Sequence, residues 1–216
     1  FFLLCQTSVL HLWLVLSLNF EVMYYIYTIL ISALFSSLFC NNVDKSLPEN
    51  MPLHTKVLWG EKGLFRRTNI TPLTRQDELI LRVKMLQLHQ KLALGSLAAF
   101  YYQSYLGNQL VNNNYDNYDK HSSMSKVVWS TYMLSAGLSY FAPPGMMYTK
   151  KISSMKIHRV LSWFHFAGMA AIPWLGYNIS NSSMGDKDFA IRLHQNVAYG
   201  TLITMSISAL LSFLPY

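Results

Sequence analysis

Four apolar stretches, each about the 20 residues needed to cross a bilayer as a helix, punctuate the second half of the chain. Segment A covers about 86–107, B 121–143, C 157–178 and D 193–214. Pro143–Pro144 closes B and Pro215 closes D, as helix stops do. The linkers differ in character. VNNNYDNYDK between A and B is polar, GMMYTKKISSMK between B and C is basic, and NISNSSMGDKD between C and D is polar again. The tripeptides at Asn178 and Asn181 fit the glycosylation pattern, a frequent chance match. Residues 41–84 form a polar, basic leader with Pro48, Pro52 and Pro72, in which Thr74 and Asp77 resemble a capping box at a helix start. Residues 1–39 carry one charge, Glu21. An apolar run from Met23 to Cys40 reads as an uncleaved anchor, with a cleaved signal peptide as the alternative. No basic stretch precedes it and no small-x-small cleavage site ends it. Residues 1–22 precede the first Met, read as upstream translation or a fragment end, and carry no functional weight. The expected organisation is an N-terminal apolar segment (1–40), the leader (41–84) and a four-helix membrane domain (85–216). The expected fold class is all-α: a transmembrane four-helix bundle with one additional N-terminal apolar segment.

Composition supports a membrane protein. Hydrophobic residues make up 52% and charged residues 12%, against about 25% charged in soluble domains. Mean hydropathy is only +0.21, so the apolar residues are concentrated in the segments. The net charge is +7, yet 13 of the 17 Lys and Arg residues fall in the leader and around the B–C linker. That asymmetry fits the positive-inside rule rather than a nucleic-acid face, and no nucleic-acid partner is expected. Cys5 and Cys40 form no C-x-x-C pattern and identify neither a disulfide framework nor a zinc site.

The candidate chemistry lies in a repeat. Segment A opens LHQKLALGSL (Leu88 to Leu97) and D opens LHQNVAYGTL (Leu193 to Leu202), with six of ten positions identical. C opens IHRVLSWFHF and B opens KHSSMSKVVW, so His89, His121, His158 and His194 stand at equivalent starts of four helices. Consecutive spans run antiparallel, which puts His89 and His158 near one face and His121 and His194 near the other. In a sequentially packed bundle A faces C and B faces D, giving two His–His pairs of the kind that ligate haem iron axially. Gly95 and Gly200, each six residues after its histidine, would clear room for a flat macrocycle, as would Ala93, Ala198, Ser162 and Ser125 one turn on. Plain helix packing is the competing use of such small residues. His121 follows a polar loop and has a solvated loop residue as its alternative reading. His165, seven residues after His158 on the same helix face, is the alternative to it as a ligand, or else a buried residue bonding to a backbone carbonyl or a propionate. Ionisable residues inside a bilayer are costly and by default functional. The apolar spans contain no acidic residue, which opposes zinc, non-haem iron and a carboxylate proton relay. No C-x-x-C-H attachment site exists, so any haem is b-type, and two haems are expected, with no catalytic residues of another kind.

LRVKMLQLHQKLALGSL, LSYFAPP, MKIHRVLSWFHFAGMAAIPWLG and RLHQNVAYGTL resemble the cytochrome b561 superfamily, over about residues 59–214. The resemblance implies a four-helix core with His89 paired to His158 and His121 to His194 around two b haems. It implies transmembrane electron transfer, an integral location in a membrane of bacterial inner-membrane type, and the lipid bilayer as a partner. The electron donor and acceptor are left open among a quinone, a small reductant and a redox protein; no clear ascorbate-binding signature is present. Arg82, Lys84, Lys91, Arg159 and Arg192 would serve as propionate partners or as ordinary interfacial anchors. The competing readings are a cofactor-free assembly or binding subunit with structural histidines, and a small transporter, which would need broken helices or buried charges.

Overall fold

A computed structural model describes residues 47–148 and 151–214. The apolar run expected as an anchor, with Cys5 and Cys40, lies outside the described residues. Those described are all-α: α1 (Leu53–Trp59), α2 (Leu64–Arg67), α3 (Arg75–Val111), a single 3₁₀ turn at Tyr115–Asn117, α4 (Tyr118–Tyr140), α5 (Ser154–Asn181) and α6 (Lys187–Leu211). The chain divides into two compact units, one holding residues 56–78 and the other residues 47–55 with 79–216.

In the first unit the expected capping pair is in place. The Asp77 N–H donates to Thr74 Oγ1 at 3.1 Å while the Thr74 hydroxyl donates to the Asp77 carboxylate at 2.7 Å. Glu78, fully buried, takes a charged contact from Arg66 at 3.0 Å and from Arg75 at 2.7 Å. A carboxylate removed from water needs such pairing. Arg66 Nε also donates to the Trp59 carbonyl at 2.9 Å, and Trp59 meets Phe65 edge-on. The cap and this ion cluster start α3 at Arg75, upstream of the apolar span expected from about 86, so the helix runs 37 residues.

In the second unit the four long helices connect in sequence and close into a ring. The Ser96 hydroxyl of α3 donates to Thr131 of α4 at 2.8 Å, and Tyr132 of α4 meets His165 of α5 at 2.6 Å. Gly168 of α5 lies so close to α6 that a Cβ there would overlap the Thr201 hydroxyl, and Tyr101 of α3 bonds Ser206 of α6 at 2.8 Å. Phe100, Val128, Tyr132, Met169, Leu202 and Met205 form the core. α5 begins at an N-cap, Ser153, whose hydroxyl accepts from the Lys156 N–H at 3.4 Å.

Polarity is distributed unusually. Ser96, Ser135 and Ser208 are almost wholly buried, whereas Trp129, Phe164, Ile203 and Leu210 are exposed. Among the described residues no helix is long and apolar enough to cross a membrane. All four long helices have 23 residues or more, so apolarity rather than length is the quantity that falls short.

Candidate functional site

The structure brings the four repeat histidines into the two groupings expected from the sequence. At one end, His89 of α3 and His158 of α5 lie within electrostatic reach of each other. Each is clamped by a buried serine of the next helix. His89 Nδ1 lies 2.9 Å from the Ser135 carbonyl oxygen and 2.9 Å from Ser135 Oγ, and that hydroxyl donates to the His89 carbonyl at 3.0 Å. His158 repeats the arrangement with Ser208: 2.8 Å to the carbonyl, 2.9 Å to Oγ, and 3.5 Å from Oγ to the His158 carbonyl. A carbonyl can only accept, so Nδ1 carries the proton and Nε2 presents its lone pair. Among the described residues neither Nε2 takes part in a hydrogen bond.

At the other end His121 of α4 and His194 of α6 meet edge to face, with ring centres 6.4 Å apart and planes at 71°. Two imidazoles bound through nitrogen to opposite sides of one metal, each at about 2 Å, place their ring centres roughly 6 Å apart. Close glycines back both rings. A Cβ on Gly107 would sit 3.0 Å from the His121 ring and one on Gly176 3.4 Å from the His194 ring. Gln103 Nε2 donates to the His121 carbonyl at 2.9 Å and lies 3.1 Å from the ring's Nδ1 and 3.3 Å from its Nε2. The Ile172 carbonyl acts on the His194 ring without closing a well-formed hydrogen bond. Three buried polar atoms here, Gln103 Oε1, Ser104 Oγ and His194 Nδ1, have no hydrogen-bond partner.

His165 is placed differently. Its Nδ1 is engaged by the Tyr132 hydroxyl in the core, and it lies within electrostatic reach of both His158 and His89. Among the described residues no three His, Cys, Asp or Glu side chains converge as a metal-ion site. A Cβ on Gly95 or Gly200 would meet nothing within 4 Å, so neither is a close-packing glycine, unlike Gly107, Gly168 and Gly176. Of the basic residues considered for propionates, Arg82 donates from Nη1 to the Pro143 carbonyl at 2.6 Å. His54, without a role in the sequence pattern, stacks on Tyr140 with ring centres 5.0 Å apart.

Ser135, Ser208, Gly107, Gly176 and Gln103 are site residues that the histidine repeat alone does not single out. Their signal is a second, longer repeat. Gly107 and Gly176 each stand eighteen residues after the first histidine of their hairpin, and Ser135 and Ser208 each fourteen after the second. The domain is thus two copies of one helical hairpin, α3–α4 and α5–α6. No protein-family model, curated protein or solved structure matches the chain.

The donor set would suit haem iron: two imidazoles per site, from non-adjacent helices, with no acidic or thiolate group beside them among the described residues.

Proposed function

We propose that the chain is an integral membrane, bis-histidine dihaem b-type cytochrome of the cytochrome b561 kind that transfers electrons across the bilayer. The observation that carries this reading is the His121–His194 pair, whose 6.4 Å ring separation suits one metal between two imidazoles. His89 and His158 would hold the second haem, presenting Nε2 lone pairs from α3 and α5. Bound haem would supply a one-electron ferric–ferrous couple; the chain supplies ligation, orientation and a low-dielectric surrounding. Gly95 and Gly200 leave open space beside their helices for a flat group.

The bilayer part of the proposal rests on the exposed apolar surface of the bundle. Large apolar side chains such as Trp129, Phe164 and Leu210 are exposed, while Ser96, Ser135 and Ser208 are buried between helices beside the apolar core. In water such a surface would drive aggregation; in lipid it is the expected arrangement, with small and polar residues between helices. The electron donor and acceptor are a quinone, a small reductant or a redox protein.

A second reading, a cofactor-free subunit whose histidines only join helices, draws on the Nδ1 links to Ser135 and Ser208. It gives no use to the two Nε2 atoms or to the unlinked, buried His194 Nδ1. A pyridine haemochrome assay on the purified full chain decides between them. Two non-covalent b haems per chain are expected, and folded protein without haem sinks the cytochrome reading.

A further inference from the structure

The two sites are not equivalent, and the difference lies around the ligands. At the His89–His158 end both rings give their Nδ1 proton to a backbone carbonyl and a hydroxyl of a buried serine. The two serines hold the same position in the two hairpins, so the clamp is built twice. At the His121–His194 end the backbone carbonyls of Gln103 and Ile172 act on the two rings without closing a well-formed hydrogen bond, and among the described residues no hydroxyl bonds them; the His121 ring meets the Gln103 side-chain amide instead. A histidine that donates from Nδ1 to a strong acceptor acquires imidazolate character and becomes a better electron donor through Nε2. Better donation stabilises the ferric state and lowers the reduction potential.

We infer that Ser135 and Ser208 are positioning residues that hold His89 and His158 in the metal-binding tautomer and make the site between them the more electron-rich of the two. The inference rests on the dihaem reading above. The serine-clamped site has the lower potential, the His121–His194 site is reduced first at equilibrium, and an electron passing between them runs downhill from the clamped site. Neither serine need touch the haem. Each acts through its histidine, by a carbonyl that any residue would supply at that place and a hydroxyl that only Ser or Thr supplies.

The test is a spectroelectrochemical redox titration of the full chain in detergent. Two resolved midpoints are expected, and His89→Ala removes the lower one. Ser135→Ala and Ser208→Ala each shift the lower midpoint upward and leave the higher one in place, while Ser135→Thr and Ser208→Thr restore the unaltered value. If the alanine variants fail to fold, the identity of the midpoint lost in His89→Ala still decides: loss of the higher one overturns the inference. Two haems whose potentials ignore both serines overturn this inference alone. A chain that takes up no haem overturns it together with the function on which it rests.

Discussion

At the scale of single residues, a buried imidazole is defined by which nitrogen its neighbours occupy. His158 keeps Nε2 clear because Ser208 holds Nδ1. His165 sits one helical stretch deeper and has Nδ1 held by the Tyr132 phenol at 2.6 Å. These are two different employments of one residue type on one helix. His158→Ala is therefore expected to remove one haem, and His165→Ala none; a haem lost from the second variant but kept in the first would show that the ligand lies at the deeper position. Tyr132→Phe takes away the hydrogen-bond partner of His165 Nδ1 and should lower stability by about 1–2 kcal/mol with both haems retained; thermal unfolding in detergent with the visible spectrum as a control measures both. His54, in the leader, has a pH-dependent role. Burial first, and the Arg159 guanidinium second, hold its imidazole below the usual 6.5. The ring then binds a proton less readily folded than unfolded, so the stack on Tyr140 contributes fully above pH 6.5 and is lost as pH falls through the lower folded value. Limited proteolysis around residues 47–55 should accelerate on acidification, and His54→Phe should abolish that acid sensitivity. A His54 resonance titrating above 6.5 would contradict it.

At the scale of helices, the tightest glycine contact between two helices lies at Gly168. Gly168 lets α5 approach α6 at Thr201, where a Cβ would overlap the hydroxyl. Gly168→Ala is expected to destabilise the chain by about 1–3 kcal/mol through overpacking, and adding Thr201→Ala should recover part of the loss; additive effects in a double-mutant cycle would show that the two positions do not meet. Gly95→Ala, with open space around it, should fold as well as the unaltered chain. The helices themselves were legible as four apolar runs, and the four histidines as a repeat, because both signals are periodic along one chain. The start of α3 at Arg75 was not, although its cap was: the first turns are polar, and helicity there depends on Thr74 and the buried Glu78 cluster rather than on an apolar stripe. The serine clamps were invisible for a different reason. Ser135 and Ser208 are ordinary residues in sequence and acquire their meaning only through a contact across helices. Likewise Gly95 and Gly200 drew attention by their spacing from histidines, while Gly168, which packs two helices together, has no such marker.

At the scale of the whole molecule, the bundle keeps an apolar core of Phe100, Val128, Met169, Leu202 and Met205, with buried serines beside it, and also exposes large apolar side chains, two faces that hydropathy averaged along a helix does not separate. Trp129, Ile203 and Phe164 face out while Ser96, Ser135 and Ser208 face in. In the proposed membrane arrangement, with α3 to α6 as spans, charge would orient the bundle. The starts of α3 and α5 and the linker between α4 and α5 belong to one face, which with the leader carries 13 of the 17 Lys and Arg residues; Lys120, Lys126, Lys187 and Arg192 belong to the other. Positively charged short loops are retained on the cytoplasmic side during insertion, so the His89–His158 face is expected in the cytoplasm and the His121–His194 face outside. With four spans from α3 to α6, the end of α6 returns to the face from which α3 starts. A reporter fused after Tyr216 should be active only on the cytoplasmic side, and one placed in the loop between α5 and α6, at Met184 to Asp186, only on the external side. Changing Lys56, Lys62, Arg66 and Arg67 together to neutral residues should weaken this preference and yield a mixed population. External activity of the Tyr216 fusion in the unaltered chain would place the basic face outside, and the serine-clamped histidines with it.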